Sequence, residues 1–464
     1  MASGAVSARA ALALAMSVSL LAACGGGDLD FDDDGSNAAP SLLAQQDSIS
    51  GTLTGLTSGG SVVLQDNGGD SLPLAANGAF TFPQKVAAGS AYAVTVLTQP
   101  RYEVCSVTNG AGSIRANVTN VAVACAAGPQ FVYAANVGSN DISAYRADAA
   151  TGALAPVAGS PFAAGSGSGP YAVAVNPAGT FAFVANVNGD TVSVYRIDAS
   201  TGALAAVAGS PFAAGINPQA IAVNPAGTFV YVANNGGNVS GYLVNQATGV
   251  LTPMTGSPFP AGIGPDAVAV DPAGTFAYVA NSGDDTVSAY RIDPTTGALA
   301  PVTGSPFPAG AGPISIAFTP TGAFAYVANL TDDTASAYAV DQATGVLAPI
   351  AGSPFAAGSG PNSVAIDSAG TFAYVADNGL DAVSAYRIGA NGAITPITGS
   401  PFATGNLPVS VALNPAGTFA YAANVGGNTV SGYRIDATTG ALTPITGSPF
   451  GAGTSPQSVA VAQP

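Results

Sequence analysis

The sequence contains no histidine among its 464 residues. Histidine is the side chain that enzymes use most often as a general acid or base near neutral pH, so proton transfer would have to rest on carboxylates. Charged residues are also scarce, at 7% of the chain, and they give a formal net charge of −16. So acidic a chain repels phosphates. We therefore expect no nucleic acid partner, and anionic substrates are disfavoured.

Cysteine is nearly absent too, and the first of the three cysteines marks a processing site. Arg9 precedes an apolar run, Ala10 to Ala23, that ends directly at Cys24. The run is too short to span a membrane and has the layout of a secretion signal. Leu21-Ala22-Ala23-Cys24 resembles the bacterial lipobox, in which the cysteine is lipidated and the chain is cut before it. The alternative is a chance cysteine after an ordinary signal peptide.

The lipobox predicts where the protein resides. Residues 1–23 would be a lipoprotein signal peptide, and Cys24 would carry lipid that anchors the chain in a bilayer. Several acyl chains give a stable anchor. Position +2 is Gly25 rather than Asp, which resembles the outer-membrane sorting pattern of Gram-negative lipoproteins. We expect a lipid-anchored protein of the bacterial cell envelope, at the outer membrane.

The two remaining cysteines, Cys105 and Cys125, are expected to form a disulfide. In an oxidising compartment an odd number of cysteines leaves one thiol without a disulfide partner. Lipidation of Cys24 leaves two cysteines, which can pair with each other. For a loop of about twenty residues a disulfide stabilises the fold by about 3 kcal/mol.

Two segments of different composition precede a long repetitive region. Residues 24–44 are rich in glycine and carry five aspartates between Asp28 and Asp34, which predicts a flexible acidic tether. Residues 45–127 contain short strand-like runs such as "SISGTLTGL" and "NVTNVAVACA", separated by Gly, Asn and Asp turns. This pattern predicts a small β-sandwich of immunoglobulin-like or transthyretin-like type.

From residue 130 to residue 464 the chain is periodic. The tetrapeptide Gly-Ser-Pro-Phe occurs seven times at intervals of 47 to 50 residues. Each unit reads as four short strands, as in "DAVAV", "TFAYVAN", "TVSAYRID" and "GALAPVTGSPF", which is typical of a seven-bladed β-propeller. A solenoid is the alternative, but it needs atypical caps at both ends. Here the array starts on the second strand type and finishes on the first, so pairing of the chain ends would close the ring.

The repeated strand segments resemble a known family. The motif is Tyr278-Val279-Ala280-Asn281, with "VAVDPAG" before it and "DTVSAYRID" after it. It resembles the YVTN-repeat proteins and the seven-bladed lactonase family typified by 6-phosphogluconolactonase. The resemblance covers nearly three quarters of the chain and implies a propeller fold and lactone hydrolysis. Family repeats often place histidine beside the proline that opens the inner strand, and no such histidine exists here.

Two sets of charged residues recur in the repeats. Arginines in the "YRI" segments, such as Arg291, have an aspartate two residues on, such as Asp293, and we expect these to form ion pairs along one face of the strand. Aspartates in the hairpin loops, such as Asp284 and Asp285, are expected to stabilise turns. Calcium binding by these loops is the alternative, although the ligand count is low for calcium.

The residue that follows the opening proline of each inner strand differs between repeats, whereas the other positions of the repeat agree closely. If the inner strands line the central channel, these seven residues ring one mouth of that channel: Tyr171, Gln219, Asp266, Ile314, Asn362, Val409 and Gln457. The polar members, Tyr171, Gln219, Asp266, Asn362 and Gln457, are candidate ligand-binding residues. Asp266 is the one member able to act as a base. Variation at a solvent-exposed edge is the alternative.

The sequence supports two functional hypotheses. The leading one is a surface or periplasmic lipoprotein whose propeller is a binding scaffold for a glycan or protein ligand, with no cofactor. The alternative is a lactonase of the 6-phosphogluconolactonase type that acts on a sugar lactone, with Asp266 as base and Ca²⁺ or Mg²⁺ supplied from outside.

Overall fold

The computed structural model describes residues 45–57, 59–165 and 167–464. The expected signal peptide, the lipidated Cys24 and the acidic tether lie outside these residues. Among the described residues, no helical segment has the length and apolar character needed to cross a bilayer. Regular structure there consists of strands and one 3₁₀ turn, Asn378–Leu380.

The first ten strands form a β-sandwich. They are β1 (Gln46–Asp47), β2 (Ile49–Thr54), β3 (Val62–Asp66), β4 (Asp70–Leu74), β5 (Gly78–Thr81), β6 (Val86–Ala87), β7 (Ala91–Thr98), β8 (Glu103–Thr108), β9 (Ala111–Ser113) and β10 (Val118–Ala127). One sheet has the order β5-β2-β10-β8 and the other β4-β3-β7-β9, while β1 pairs with β6. Leu53, Leu64, Val94 and Val123 come from both sheets and share one buried core, so the sheets pack face to face as predicted.

A disulfide joins Cys105 on β8 to Cys125 on β10, as the cysteine count predicted. The two residues lie directly opposite each other in the antiparallel ladder, and both are buried. Since β8 is an edge strand and β10 a central one, the bond ties the edge of this sheet to its middle.

The remaining strands form seven five-stranded sheets, the blades of a β-propeller. Blade 1 contains β11 (Gln130–Asn136), β12 (Asp141–Ala147), β13 (Leu154–Pro156) and β14 (Phe162–Ala163). Blade 2 contains β15 (Pro170–Val175), β16 (Phe181–Asn186), β17 (Thr191–Ile197), β18 (Leu204–Ala206) and β19 (Phe212–Ala213). Blade 3 contains β20 (Pro218–Val223), β21 (Phe229–Asn234), β22 (Asn238–Val244), β23 (Leu251–Pro253) and β24 (Phe259–Pro260). Blades 4 and 5 contain β25 (Pro265–Val270), β26 (Phe276–Asn281), β27 (Thr286–Ile292), β28 (Leu299–Pro301), β29 (Phe307–Pro308); and β30 (Pro313–Phe318), β31 (Phe324–Asn329), β32 (Thr334–Val340), β33 (Leu347–Pro349), β34 (Phe355–Ala356). Blades 6 and 7 contain β35 (Pro361–Ile366), β36 (Phe372–Asp377), β37 (Ala382–Ile388), β38 (Ile394–Pro396), β39 (Phe402–Ala403); and β40 (Pro408–Leu413), β41 (Phe419–Asn424), β42 (Thr429–Ile435), β43 (Leu442–Pro444), β44 (Phe450–Gly451), and the last strand is β45 (Pro456–Ala462).

The two ends of the repeat region close the ring. The final strand, β45, pairs antiparallel with β11 and becomes the inner strand of blade 1, with Val461 opposite Val132. The predicted pairing of the chain ends is therefore confirmed. Closure satisfies the backbone groups that an open array would leave along two free edges.

The end of each blade differs from the predicted single closing strand. In blade 4 the segment splits into β28 and β29, which pair with opposite ends of β27. Between them Gly304 takes a left-handed conformation with φ 87, and the Ser305 hydroxyl accepts the Ala289 amide of β27 at 2.9 Å. Pro306 has no N–H to donate. In the Gly-Ser-Pro segment the serine hydroxyl therefore accepts a backbone amide that a ladder carbonyl would otherwise accept. This explains why the tetrapeptide recurs.

The core lies between neighbouring blades. Aromatic residues of the second strands are fully buried against small residues of the next sheet. In blade 4, Tyr278 packs with Ala325 and Val327 of blade 5, and its hydroxyl donates to the Gly345 carbonyl at 3.0 Å. Six blades make the equivalent tyrosine–glycine bond.

The repeated arginines do not form the ion pairs expected from the sequence. Phe276 lies directly opposite Arg291 in the ladder, and the guanidinium stacks over that ring at 4.8 Å. Arg291 also donates to the Ala343 carbonyl of the next blade at 2.6 Å. Asp293 instead accepts the backbone amides that follow it in the turn. A cross-strand neighbour is closer than the residue two positions along, so the arginine contacts the ring.

Candidate functional site

A break in the ladder places the seven variable residues at the channel mouth. Each inner strand begins with a proline, and its pairing shifts between that proline and the residue two positions on. Such a β-bulge redirects the extra residue out of the regular alternation. These half-buried residues line one cavity of about 340 Å³: Tyr171, Gln219, Asp266, Ile314, Asn362, Val409 and Gln457.

An aspartate or asparagine in six of the hairpins fixes the entrance to the inner strand of the next blade. Asp285 takes a left-handed conformation with φ 53, and its carboxylate accepts the Gly312 amide, just before the opening proline of blade 5, at 2.8 Å. Equivalent bonds are made by Asn140, Asp190, Asp333, Asp381 and Asn428. The turn interpretation accounts for these residues. Among the described residues no group of three or more Asp, Glu or Cys could hold a metal ion.

Blade 3 departs from this arrangement, and its hairpin donates a hydrogen bond to Asp266. Its hairpin has three residues between β21 and β22, where blade 4 has four between β26 and β27. The shorter turn lacks the aspartate. Asn235, the first residue of this hairpin, donates from its Nδ2 to Asp266 Oδ1 at 2.7 Å, and the first hairpin residue of blade 5, Leu330, also lines the cavity. One carboxylate oxygen is thereby fixed, and Asp266 lines the cavity.

Asp266 and Tyr171 form the ionisable part of the cavity lining. Burial raises the pKa of the Tyr171 phenol, and the Asp266 carboxylate raises it further. The phenol therefore stays protonated at neutral pH and is a hydrogen-bond donor beside a carboxylate. Gln219 lies on the inner strand between theirs.

The other side of the mouth is less ionic. Blades 5, 6, 7 and 1 contribute Ile314, Asn362, Val409 and Gln457. Outside the cavity the rim carries exposed aliphatic side chains, among them Ile216 at 69% and Ile263 at 67% exposed. A ligand larger than the cavity would contact these residues.

The sequence interpretation missed Asn235. Its signal was the first hairpin position, directly after "YVAN", which varies between blades and holds asparagine in blade 3. The seven mouth residues themselves are brought together as expected, although their role in binding stays a prediction.

The fold and its mouth define a class: a seven-bladed propeller with a polar cavity at one end of the channel. The sequence matches the lactonase family of seven-bladed β-propellers over residues 100–215 and 264–459. The chain belongs to this family.

Solved structures with the same fold have low sequence identity to this chain. A candidate 6-phosphogluconolactonase from Bacteroides fragilis is 21% identical, with a TM-score of 0.62 over 72% of this chain and 98% of its own. A similar protein from Bacteroides uniformis is 20% identical, with a TM-score of 0.62 over 72% of this chain and 99% of its own. The periplasmic gluconolactonase of Pseudomonas aeruginosa is 21% identical, with a TM-score of 0.60 over 73% of this chain and 99% of its own. No curated protein matches the sequence.

Proposed function

We propose that the protein hydrolyses an uncharged sugar lactone at the channel mouth. The observation that carries this proposal is the Asp266 carboxylate, which is oriented by Asn235 and lines a cavity of a lactonase-family propeller. A volume of about 340 Å³ lies in the range of small-molecule sites. The named activities of the Bacteroides and Pseudomonas proteins support a sugar lactone as the substrate.

The chemistry needs a base and hydrogen-bond donors. Asp266 Oδ2 accepts a proton from water as the water oxygen attacks the lactone carbonyl carbon. The ring C–O bond then breaks, and the same proton is returned to the departing ring oxygen, which leaves a hydroxy acid. Tyr171, Gln219, Asn362 and Gln457 hydrogen-bond the substrate hydroxyls. No step requires histidine or a metal ion.

The charge of the mouth favours an unphosphorylated substrate. Cationic side chains bind phosphate most strongly, and the lining contains Asp266 but neither lysine nor arginine. Four of the five propeller arginines lie against phenylalanines of the second strands instead. The proposed substrate thus resembles that named for the Pseudomonas protein more than a 6-phosphogluconolactone.

Replacing the base tests the proposal. Asp266→Asn keeps an acceptor for Asn235 but cannot take a proton, so we expect kcat/KM for glucono-1,5-lactone to fall at least about a hundredfold. Turnover is followed by pH-stat against the spontaneous rate, with and without Ca²⁺ or Mg²⁺. The control is Asp293→Asn, because Asn245 already caps the equivalent turn in blade 3. Equal turnover by the two variants would remove Asp266 from the mechanism.

A second candidate function is binding without hydrolysis, to a glycan or a protein. The exposed rim residues Ile216 and Ile263 favour it, because they add contact area beyond the cavity. A glycan array probed with the wild type and with Tyr171→Ala tests this candidate. Mouth-dependent capture without lactone turnover by the wild type would favour binding, and turnover would favour hydrolysis.

The proposed location is the bacterial outer membrane, through lipid on Cys24. The apolar run before this cysteine and Gly25 after it support the anchor. Mass spectrometry of the N-terminal peptide from membranes would detect acylated Cys24, and Cys24→Ala should release the protein into the soluble fraction. An unmodified Cys24 inside an uncut chain would contradict the anchor.

A further inference from the structure

The inner strands are joined to one another in two different ways. At four junctions the serine two residues after the opening proline accepts a backbone amide of the next blade. The bonds run from Val173 to Ser458, Val364 to Ser315, Val411 to Ser363 and Val459 to Ser410, at 3.1 to 3.2 Å. We call each of these bonds a serine bridge.

Three neighbouring junctions have no serine bridge. The bridging positions there are Ala172, Ala220 and Ala267. By the repeat, they face the amides of Ile221, Val268 and Ile316. No side chain of the described residues accepts a hydrogen bond from these three amides, whereas all four equivalent amides elsewhere are bonded to serine.

The ladder fixes the direction of these three amides. In blade 3 the Asn224 amide donates to the Phe229 carbonyl, so this pair is hydrogen-bonded. Hydrogen-bonded and non-hydrogen-bonded pairs alternate along an antiparallel ladder, and Ile221 pairs with Val232 three positions away. The Ile221 N–H therefore points away from β21, towards the channel. The Val268 and Ile316 amides point the same way, because Asp271 and Thr319 donate to Phe276 and Phe324 three positions further along their strands.

The free amides share the cavity with Asp266. Ile221, Val268 and Ile316 all line the same 340 Å³ space as Asp266 and Tyr171, and Val268 follows Asp266 by two residues on β25. The three junctions without a serine bridge thus lie on the ionic side of the mouth. The four junctions with a serine bridge occupy the remainder of the ring.

We propose that the amides of Ile221, Val268 and Ile316 supply the oxyanion-hole donors for the lactone carbonyl, with one amide or two adjacent ones contacting the oxygen; this inference rests on the proposed hydrolysis. Backbone N–H groups fixed by a rigid sheet stabilise the negative charge that develops on the carbonyl oxygen when water attacks. Asp266 removes the proton from water, while the amides hold the oxygen of the carbonyl under attack. A serine at any of the three alanine positions would accept a hydrogen bond from one of these amides, which could then no longer bind the carbonyl oxygen.

Installing the missing bridges tests this oxyanion hole. The triple variant Ala172→Ser/Ala220→Ser/Ala267→Ser should lower kcat for glucono-1,5-lactone at least about a hundredfold, with no loss of thermal stability. The three single variants show which amide matters most. Ala220→Cys is the size control, because a thiol is a poor acceptor, and it should keep most of the activity.

A second readout does not depend on turnover. Gluconolactam carries the same ring carbonyl but is not hydrolysed, and its binding is measured by calorimetry. We expect the triple variant to bind it at least fivefold more weakly than the wild type does. Lactone turnover and lactam binding that are both unchanged in the triple variant would overturn the oxyanion hole and leave the proposed hydrolysis standing. Bridge-sensitive lactam binding without turnover would support the amide site but contradict hydrolysis, and a wild type with neither property would contradict both.

Discussion

At the scale of single residues, Asp377 is an exception inside a blade. The end of the second strand carries a buried asparagine in six blades and Asp377 in blade 6. In the other blades the amide donates to a serine hydroxyl of the third strand, as from Asn281 to Ser288 at 2.9 Å. A carboxylate cannot donate, and neither oxygen of Asp377 has a hydrogen-bond partner among the described residues. Burial raises the pKa of Asp377 to about 6.

This pKa makes stability depend on pH. Because the folded pKa lies above the unfolded value, the contribution of Asp377 is fully present below about pH 4 and is lost as pH rises through about 6. We expect Asp377→Asn to stabilise the fold by roughly 2–3 kcal/mol at pH 8 and much less at pH 4. Guanidinium unfolding at both values measures this. An equal gain at the two pH values would show that ionisation is not the cause.

Other residue details could not be predicted from the sequence. Asn235 reaches Asp266 between two neighbouring blades, and Arg291 lies on Phe276 because β26 and β27 set them opposite each other. Both contacts depend on the register between strands. The repeat pattern identified the mouth residues but contained no register.

At the scale of the element, one second strand lacks its hydrogen bond to the next blade. Blade 2 has Phe183 where six blades have a tyrosine that donates to a glycine carbonyl. The equivalent carbonyl in blade 3 is that of Gly249, by the repeat.

Phe183→Tyr should therefore stabilise the propeller by about 1 kcal/mol, the usual net value of one hydrogen bond. The reverse change in blade 4, Tyr278→Phe, should cost about 1–3 kcal/mol because it leaves the Gly345 carbonyl buried without its donor. Both changes in the free energy of unfolding are measured by comparing the denaturant midpoints of the two variants with that of the wild type. A loss of stability in Phe183→Tyr would mean that the two junctions differ in shape.

The elements themselves were largely predictable. Alternating small and aromatic residues, together with turns at a fixed period, identified the strand types and their number. The splitting of the closing segment was not predictable, since it depends on Ser305 bonding the amide of a neighbouring strand rather than on local propensity.

At the scale of the whole molecule, the last strand holds the ring together. β45 supplies the inner strand of blade 1, and Gln463 just beyond it donates to the Tyr102 carbonyl of the sandwich at 2.8 Å. The C-terminal segment therefore joins both the ends of the propeller and the propeller to the sandwich.

Ending the chain at Ser455 should open the ring, expose two sheet edges and give an aggregating, protease-sensitive protein. Ending it at Ala462 is the matched control, since it removes the Tyr102 contact and keeps the strand. Size-exclusion chromatography and limited proteolysis compare the two. A monodisperse, resistant protein ending at Ser455 would show that the ring does not need β45.

The proposed activity of this acidic propeller is the hydrolysis of uncharged lactones. It is tested most directly by pH-stat rates of the full chain on glucono-1,5-lactone and on its 6-phosphate, each corrected for spontaneous hydrolysis. We expect saturable turnover of the uncharged lactone and at least about tenfold lower kcat/KM for the phosphorylated one, because no lysine or arginine of the described residues lines the cavity. No turnover above background, or a preference for the phosphorylated lactone, would contradict it.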